Sequence, residues 1–186
     1  MYTPSDFKRG LRIEVDGEPS EVLDWMHVRP GKGGAYYKTR IKSLLDGRVL
    51  EKTFRAGEPI PPAGIDQRSM KYIYKDGDDY YFMDLETYEQ VFLSSAQLES
   101  AMDYLIENLE VTILYFKDRP MGVELPNFVI MKVVHTEPGM RGDTVSGSVT
   151  KPATVETGAT IQVPLFVEVG DRIRVDTRTG KYIERA

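Results

Sequence analysis

Two stretches of mixed apolar and polar residues, 22–28 and 36–42, stand on either side of a break, Arg29-Pro30-Gly31-Lys32-Gly33-Gly34-Ala35. Both flanks read as strands, so the break reads as the tip of a hairpin. In the second flank Lys38, Arg40 and Lys42 recur at period two. They share one face of a strand, while Tyr37, Thr39 and Ile41 take the other. Upstream, Leu11-Arg12-Ile13-Glu14-Val15 alternates as a half-buried strand does. Asp16-Gly17 is a two-residue hairpin signal, and Glu21-Val22-Leu23 resumes the pattern. Downstream, Asp46-Gly47 marks a tight turn before a strand from Val49 to Arg55. Residues 1–64 therefore predict a small, strongly bent, SH3-like β-barrel with a basic ribbon along one side and a lysine-tipped loop at one end.

Residues 56–64 are rich in proline and glycine and read as a semi-rigid linker, which places a first boundary. Between 65 and 126, the segments Met70–Lys75 and Tyr80–Met83 form an aromatic hairpin across Asp76-Gly77-Asp78-Asp79. Residues 84–92 read as a turn followed by a strand. Ser94 and Gln97 make a capping box, and Leu98, Met102, Leu105, Ile106 and Leu109 recur at helical spacing over 95–109. With strands at Val111–Lys117 and Val123–Leu125, this is an OB-type barrel carrying one short helix. Residues 127–186 are almost wholly β. Strands are expected at Phe128–His135, Thr144–Val149 and Thr160–Val163, with a closing hairpin of 172–176 and 181–184. The class is all-β, in three small barrels over 1–64, 65–126 and 127–186.

Composition narrows the chemistry. The 186 residues include no cysteine, which removes disulfides and thiolate metal sites, and only two histidines, His27 and His135, far apart in sequence. No metal site is expected. No apolar run is long enough to span a membrane, and residues 1–9 lack the apolar core of a signal peptide, so a cytoplasmic protein is expected. Net charge is −5, but unevenly spread. Residues 65–126 hold 13 Asp/Glu against 5 Lys/Arg, whereas residues 29–55 hold 8 Lys/Arg against Asp46 and Glu51. A polyanion meets that local field rather than the total. The carboxylates of the middle segment have neither histidine company nor calcium-loop spacing, and read as a solvated face.

The tip itself carries one long cation among glycines, suited to a narrow anionic place. It is not a P-loop: Met26 stands where that pattern needs glycine, and Gly33 where it needs Ser or Thr.

Several motifs together resemble bacterial elongation factor P along the full chain. The most specific runs from Lys151-Pro152-Ala153 through Gly158 and Val163-Pro164-Leu165-Phe166-Val167 to Gly170-Asp171. Pro30-Gly31-Lys32-Gly33, Glu51-Lys52-Thr53-Phe54, Pro126-Asn127-Phe128 and Gly142-Asp143-Thr144 agree with it. The resemblance implies an N-terminal SH3-like or KOW-like barrel followed by two OB-fold barrels in an L shape. It implies a factor that contacts both ribosomal subunits between the P and E sites and relieves stalling at consecutive prolines. Lys32, supported by Arg29, Pro30, Gly31, Gly33 and Gly34, would meet the CCA end of the P-site peptidyl-tRNA. Lys38, Arg40 and Lys42 would meet tRNA phosphates, and Gly142, Asp143 and Thr144 the mRNA codon in the exit site. No cofactor is implied, but Lys32 would be open to lengthening with a β-lysyl or aminopentanol unit by a modifying enzyme.

On the residues alone, two other classes stand beside this reading. One is a general RNA-binding barrel protein, or a factor P-like paralogue, without a special role for the tip. The other is an enzyme using the middle carboxylates, which lack an assembled nucleophile and base. A non-enzymatic, monomeric factor is expected.

Overall fold

The computed structural model describes residues 1–139 and 149–186. The chain groups into two compact units, Met1–Arg68 with Ile113–Gly122, and Ser69–Thr112 with Val123–Ala186. The architecture is all-β and built on three antiparallel sheets.

The first sheet contains β1 (Arg12–Val15), β2 (Glu18–Val28), β3 (Tyr36–Ser43) and β4 (Val49–Arg55), in that spatial order. Asp16 (φ 53°) and Gly17 (φ 80°) both adopt left-handed backbone at the β1–β2 turn, as a tight hairpin with a right-handed twist requires. On β3 the alternation is as the sequence predicts. Thr39 and Ile41 are buried, and Lys38 and Arg40 face solvent. The core comprises Phe7, Leu11, Ile13, Val15, Val22, Ile41, Phe54 and Ile60.

Ile60 corrects the reading of 56–64 as linker alone. Tyr2 and Ile60 exchange backbone hydrogen bonds of 2.8 Å, Ile13 bridges Pro62, and Ile60 is 2% exposed. One apolar residue among prolines is worth about 1.5–3 kcal/mol when buried, enough to fix this stretch against the barrel.

The second sheet has β5 (Ile65–Asp76), β6 (Asp79–Asp84), β7 (Gln90–Ser94), β8 (Glu110–Phe116) and β9 (Arg119–Glu124), ordered β7-β6-β5-β8-β9. The expected capping box forms at α1 (Ser95–Leu98): the Gln97 backbone N–H donates to the Ser94 hydroxyl, and the Ser94 N–H to the Gln97 side chain. The helix does not continue to 109. Glu99 turns to φ 52°, and Glu99–Tyr104 forms a 3-10 segment. The apolar residues at helical spacing serve separate purposes. Leu98 and Leu105 are buried, whereas Tyr104, Ile106 and Leu109 pack against the C-terminal core. One helical stripe cannot point both ways, and Asn108 and Leu109 already bond to the backbone of Tyr72 as a strand would.

The third sheet has β10 (Phe128–Thr136), β11 (Thr150–Val155), β12 (Thr160–Pro164), β13 (Arg172–Asp176) and β14 (Lys181–Arg185), ordered β12-β11-β10-β13-β14. Its core holds Val129, Met131, Val133, Val155, Val163, Ile173 and Val175 among others. The expected strand Thr144–Val149 falls almost wholly outside the described residues. Residues 144–148 lie outside the described residues, Val149 is irregular, and the strand runs over Thr150–Val155. The sequence hides β11 because it contains Pro152, which cannot donate to a ladder. Its pairing with β10 stops at Ala153, and only the Thr136 hydroxyl reaches the Pro152 carbonyl, at 3.0 Å.

At the closing hairpin, the Asp176 carboxylate accepts from the Arg178 Nε–H at 3.1 Å, its Nη2–H at 3.0 Å and its backbone N–H at 2.8 Å. These bonds, the side-chain one foremost, hold Asp176 below the usual carboxylate range and raise Arg178. A lowered carboxyl stabilises the fold above its unfolded pKa of about 4 and loses that contribution as pH falls through its folded value. Arg178→Gln should therefore lower resistance to denaturant at pH 7, and the gap from wild type should narrow at about pH 2. Denaturant unfolding of both proteins at the two pH values checks this.

Candidate functional site

The hairpin of β2 and β3 outruns the core. Its register passes from Ser20↔Ser43 through a bulge between Val22 and Asp24 to Trp25↔Thr39, His27↔Tyr37 and Val28↔Tyr36. Near the tip the inner surface is aromatic. His27 stacks on Tyr37, with ring centroids 4.4 Å apart and planes at 8°. Phe7, a core residue, meets Trp25, Tyr37 and Phe54 edge-on at 6.3, 6.0 and 5.5 Å. Such pairs add about 0.5–1.5 kcal/mol each beyond the area they bury. They stiffen the arm on which the tip stands.

Beyond Val28 and Tyr36 the backbone is unsupported. Residues 29–34 make no backbone–backbone hydrogen bond among the described residues, and pairing resumes where the Ala56 N–H donates to the Ala35 carbonyl at 2.9 Å. Arg29, Pro30, Gly31, Lys32, Gly33 and Gly34 are all exposed. Of the three glycines, only Gly33 has positive φ, at 101°. A Cβ on any of the three would meet open space within 4 Å. The glycines thus leave Lys32 unshielded, and Gly33 supplies a turn that an L-residue resists.

The cations of this unit fall into two groups. Arg40 lies between Asp24 and Glu51 in the cross-strand row, and its Nη1 is 2.9 Å from Asp24 Oδ2. Lys52 Nζ is 2.7 Å from Asp16 Oδ2, and Arg48 Nη2 is 3.6 Å from Asp46 Oδ2. Lys42 sits across from Glu21 and Val49. Toward the tip the pattern changes. Arg29, Lys32, Lys38 and Arg55 are exposed and form no ion pair among the described residues. Lys38 lies between Met26 and Thr53, and Arg55 opposite Tyr36.

Of the sequence candidates, Lys32, its loop and Lys38 come together at an uncompensated cationic end. Arg40 shares the face but is already partnered, since Asp24 lies beyond the bulge on β2. Arg55 was missed, although its place opposite Tyr36 follows once the β3–β4 register is drawn. Gly142, Asp143 and Thr144 lie outside the described residues. No group of three His, Asp or Glu side chains that could hold a metal occurs among the described residues. No helix there is long and apolar enough to cross a membrane. The tip offers reach and positive charge.

Three family models match the chain in succession: the elongation factor P KOW-like domain over residues 3–60, the elongation factor P OB domain over 65–123, and elongation factor P, C-terminal, over 129–185. The chain is 54% identical over 186 residues to elongation factor P of Moorella thermoacetica, covering 100% of both chains. It is 54% identical over 185 residues to elongation factor P of Synechococcus sp. (strain JA-3-3Ab), again covering 100% of both. Among solved structures, the eukaryotic translation initiation factor 5A from Methanococcus jannaschii matches in fold, with a TM-score of 0.53 and 24% identity over 67% of this chain and 93% of that one.

Gly33→Ala forces an L-residue to φ near 101° or makes the tip rearrange, so amide resonances of residues 29–35 should shift while the melting temperature stays close to wild type. Gly31→Ala, where φ is not in the left-handed region, should perturb the same resonances far less. An amide spectrum and a melt of each variant check both.

Proposed function

The chain belongs to the elongation factor P family of translation factors, which act on the ribosome and are not enzymes, and from that premise we propose that Lys32 is its working element at the peptidyl-transferase centre. The observation that carries the reading is the lone lysine on an unbonded, glycine-flanked tip at the uncompensated end of a cationic hairpin.

The protein binds both subunits between the P and E sites, beside the P-site peptidyl-tRNA. Arg29, Lys38 and Arg55 hold tRNA phosphates by charge-assisted contacts that weaken as salt rises. Arg40 and Lys42 contribute less freely, because carboxylates already lie across from them. The slender tip carries the Lys32 ammonium to the CCA end. Gly142, Asp143 and Thr144 read the exit-site codon.

The chemistry remains the ribosome's. Proline is a poor partner in peptide transfer because its ring restricts approach. A factor that restrains the CCA end raises the share of time in which the reacting groups are aligned. Positional restraint can supply several kcal/mol, and about 1.4 kcal/mol is tenfold in rate. A β-lysyl or aminopentanol extension of Lys32, added by a modifying enzyme, lengthens the same reach. No other cofactor takes part, and the protein acts as a cytoplasmic monomer.

In reconstituted translation of a message with three consecutive prolines, the wild type should relieve the stall, and Lys32→Ala should lose at least tenfold of that stimulation while still binding ribosomes. Equal activity of the two would overturn the role of the tip. Relief by protein from the native host, but not by protein lacking the extension, would show that the modification is required.

A further inference from the structure

The sheet of β5, β6 and β7 carries an aromatic ladder on the face turned away from its core. A bulge on β5 creates it. Tyr72 pairs with Phe82, but Tyr74 pairs with Tyr81, so Ile73 is the extra residue. The inward Tyr72 is 8% exposed, and the next tyrosine is turned out to 45%. On β7, Phe92 pairs with Tyr81 and is 52% exposed, while its neighbour Leu93 is fully buried. The three rings form one cross-strand row. Tyr74 and Tyr81 stack with centroids 4.6 Å apart and planes at 6°, and Phe92 follows Tyr81 at 5.8 Å and 40°.

Two residues on along both strands, past the Lys75↔Tyr80 pair, the row is acidic. Asp76 pairs with Asp79 across the turn that also holds Asp78. None of these three carboxylates has an ion-pair partner among the described residues. Their field reaches the ladder: after desolvation and the Tyr74 neighbour, Asp79 and Asp76 help to raise the Tyr81 hydroxyl above its ordinary pKa. The setting repeats the sign. Residues 69–112 contain two cations, Lys71 and Lys75, against ten carboxylates.

A three-ring platform on a sheet could stack nucleobases, but phosphates would then pass the free carboxylates of Asp76, Asp78 and Asp79, which repel them. A guanidinium suits both features. It stacks flat on an aromatic face and donates in pairs to a carboxylate. We propose that the Tyr74–Tyr81–Phe92 face is a docking surface for an arginine-bearing, cationic segment of a partner protein, with the rings stacking guanidinium groups and Asp76 and Asp79 pairing with them. The surface shares no residue with the Lys32 tip, so it stands whether or not that reading does.

The test adds a synthetic peptide of alternating Arg and Gly to the intact, isotope-labelled chain, and follows ring and backbone resonances. The matching Lys–Gly peptide and single-stranded oligouridine are the comparisons. The Arg peptide should shift Tyr74, Tyr81, Phe92, Asp76 and Asp79 together, and the Lys peptide should do so more weakly. Binding should weaken about fivefold in Tyr81→Thr, the loss expected for one exposed cation–π contact, and should also weaken in the milder pair Asp76→Asn with Asp79→Asn and as salt rises. Three results would overturn the proposal: ladder shifts from oligouridine but not from the Arg peptide, no response to either, or Arg-peptide binding that survives both sets of substitutions.

Discussion

Everything distinctive about this chain depends on one hairpin whose strands stay paired after the core has ended. The ladder of β2 and β3 continues to Val28↔Tyr36, one pair past Tyr37, which still packs against the barrel core. Part of its support is a third strand, since β4 stays paired with β3 to Tyr36↔Arg55. The aromatic contacts supply the remainder. Phe7 is both a core residue and the wedge beneath Trp25 and Tyr37, so barrel packing is transmitted into the arm. Only then do residues 29–34 lose backbone partners. A braced hairpin with a short free tip keeps its lysine exposed while ordering few residues on binding.

Charge is arranged along the same arm. Near the base, cations lie beside carboxylates, and exposed pairs of that kind contribute about 0–1 kcal/mol to stability. Near the tip the cations are unpaired among the described residues, which leaves their field available to an anion. The hairpin therefore carries a gradient in usable charge that a count of basic residues conceals. The opposite case is the Tyr74–Tyr81–Phe92 face, where carboxylates are left free beside stacked rings. Two members of one sequence thus carry opposite electrostatic characters on separate β surfaces.

Much of this was legible in the residues. Period-two alternation placed Thr39 and Ile41 inward and Lys38 and Arg40 outward, and the bounds of β4 matched the reading from Val49 to Arg55. The exposed tip followed from Pro30 and the three glycines. What escaped was set by register and by long-range packing. The Asp24–Arg40 pair depends on a bulge between Val22 and Asp24, and the turning-out of Tyr74 on another at Ile73. Neither bulge has a glycine or proline to announce it. The helix over 95–109 failed because its apolar spacing served two packing surfaces, and Ile60 was lost among prolines although it belongs to the first core.

The central claim is that Lys32 is carried to the reacting end of the P-site tRNA. The most direct test replaces Lys32 with a photo-crosslinking lysine analogue, binds the protein to ribosomes carrying peptidyl-tRNA in the P site, and maps the adduct after irradiation. The account predicts crosslinks to the 3′-terminal CCA nucleotides, lost when the P-site tRNA is absent. Crosslinks confined to other RNA or to ribosomal proteins, from protein shown to be bound, would contradict it.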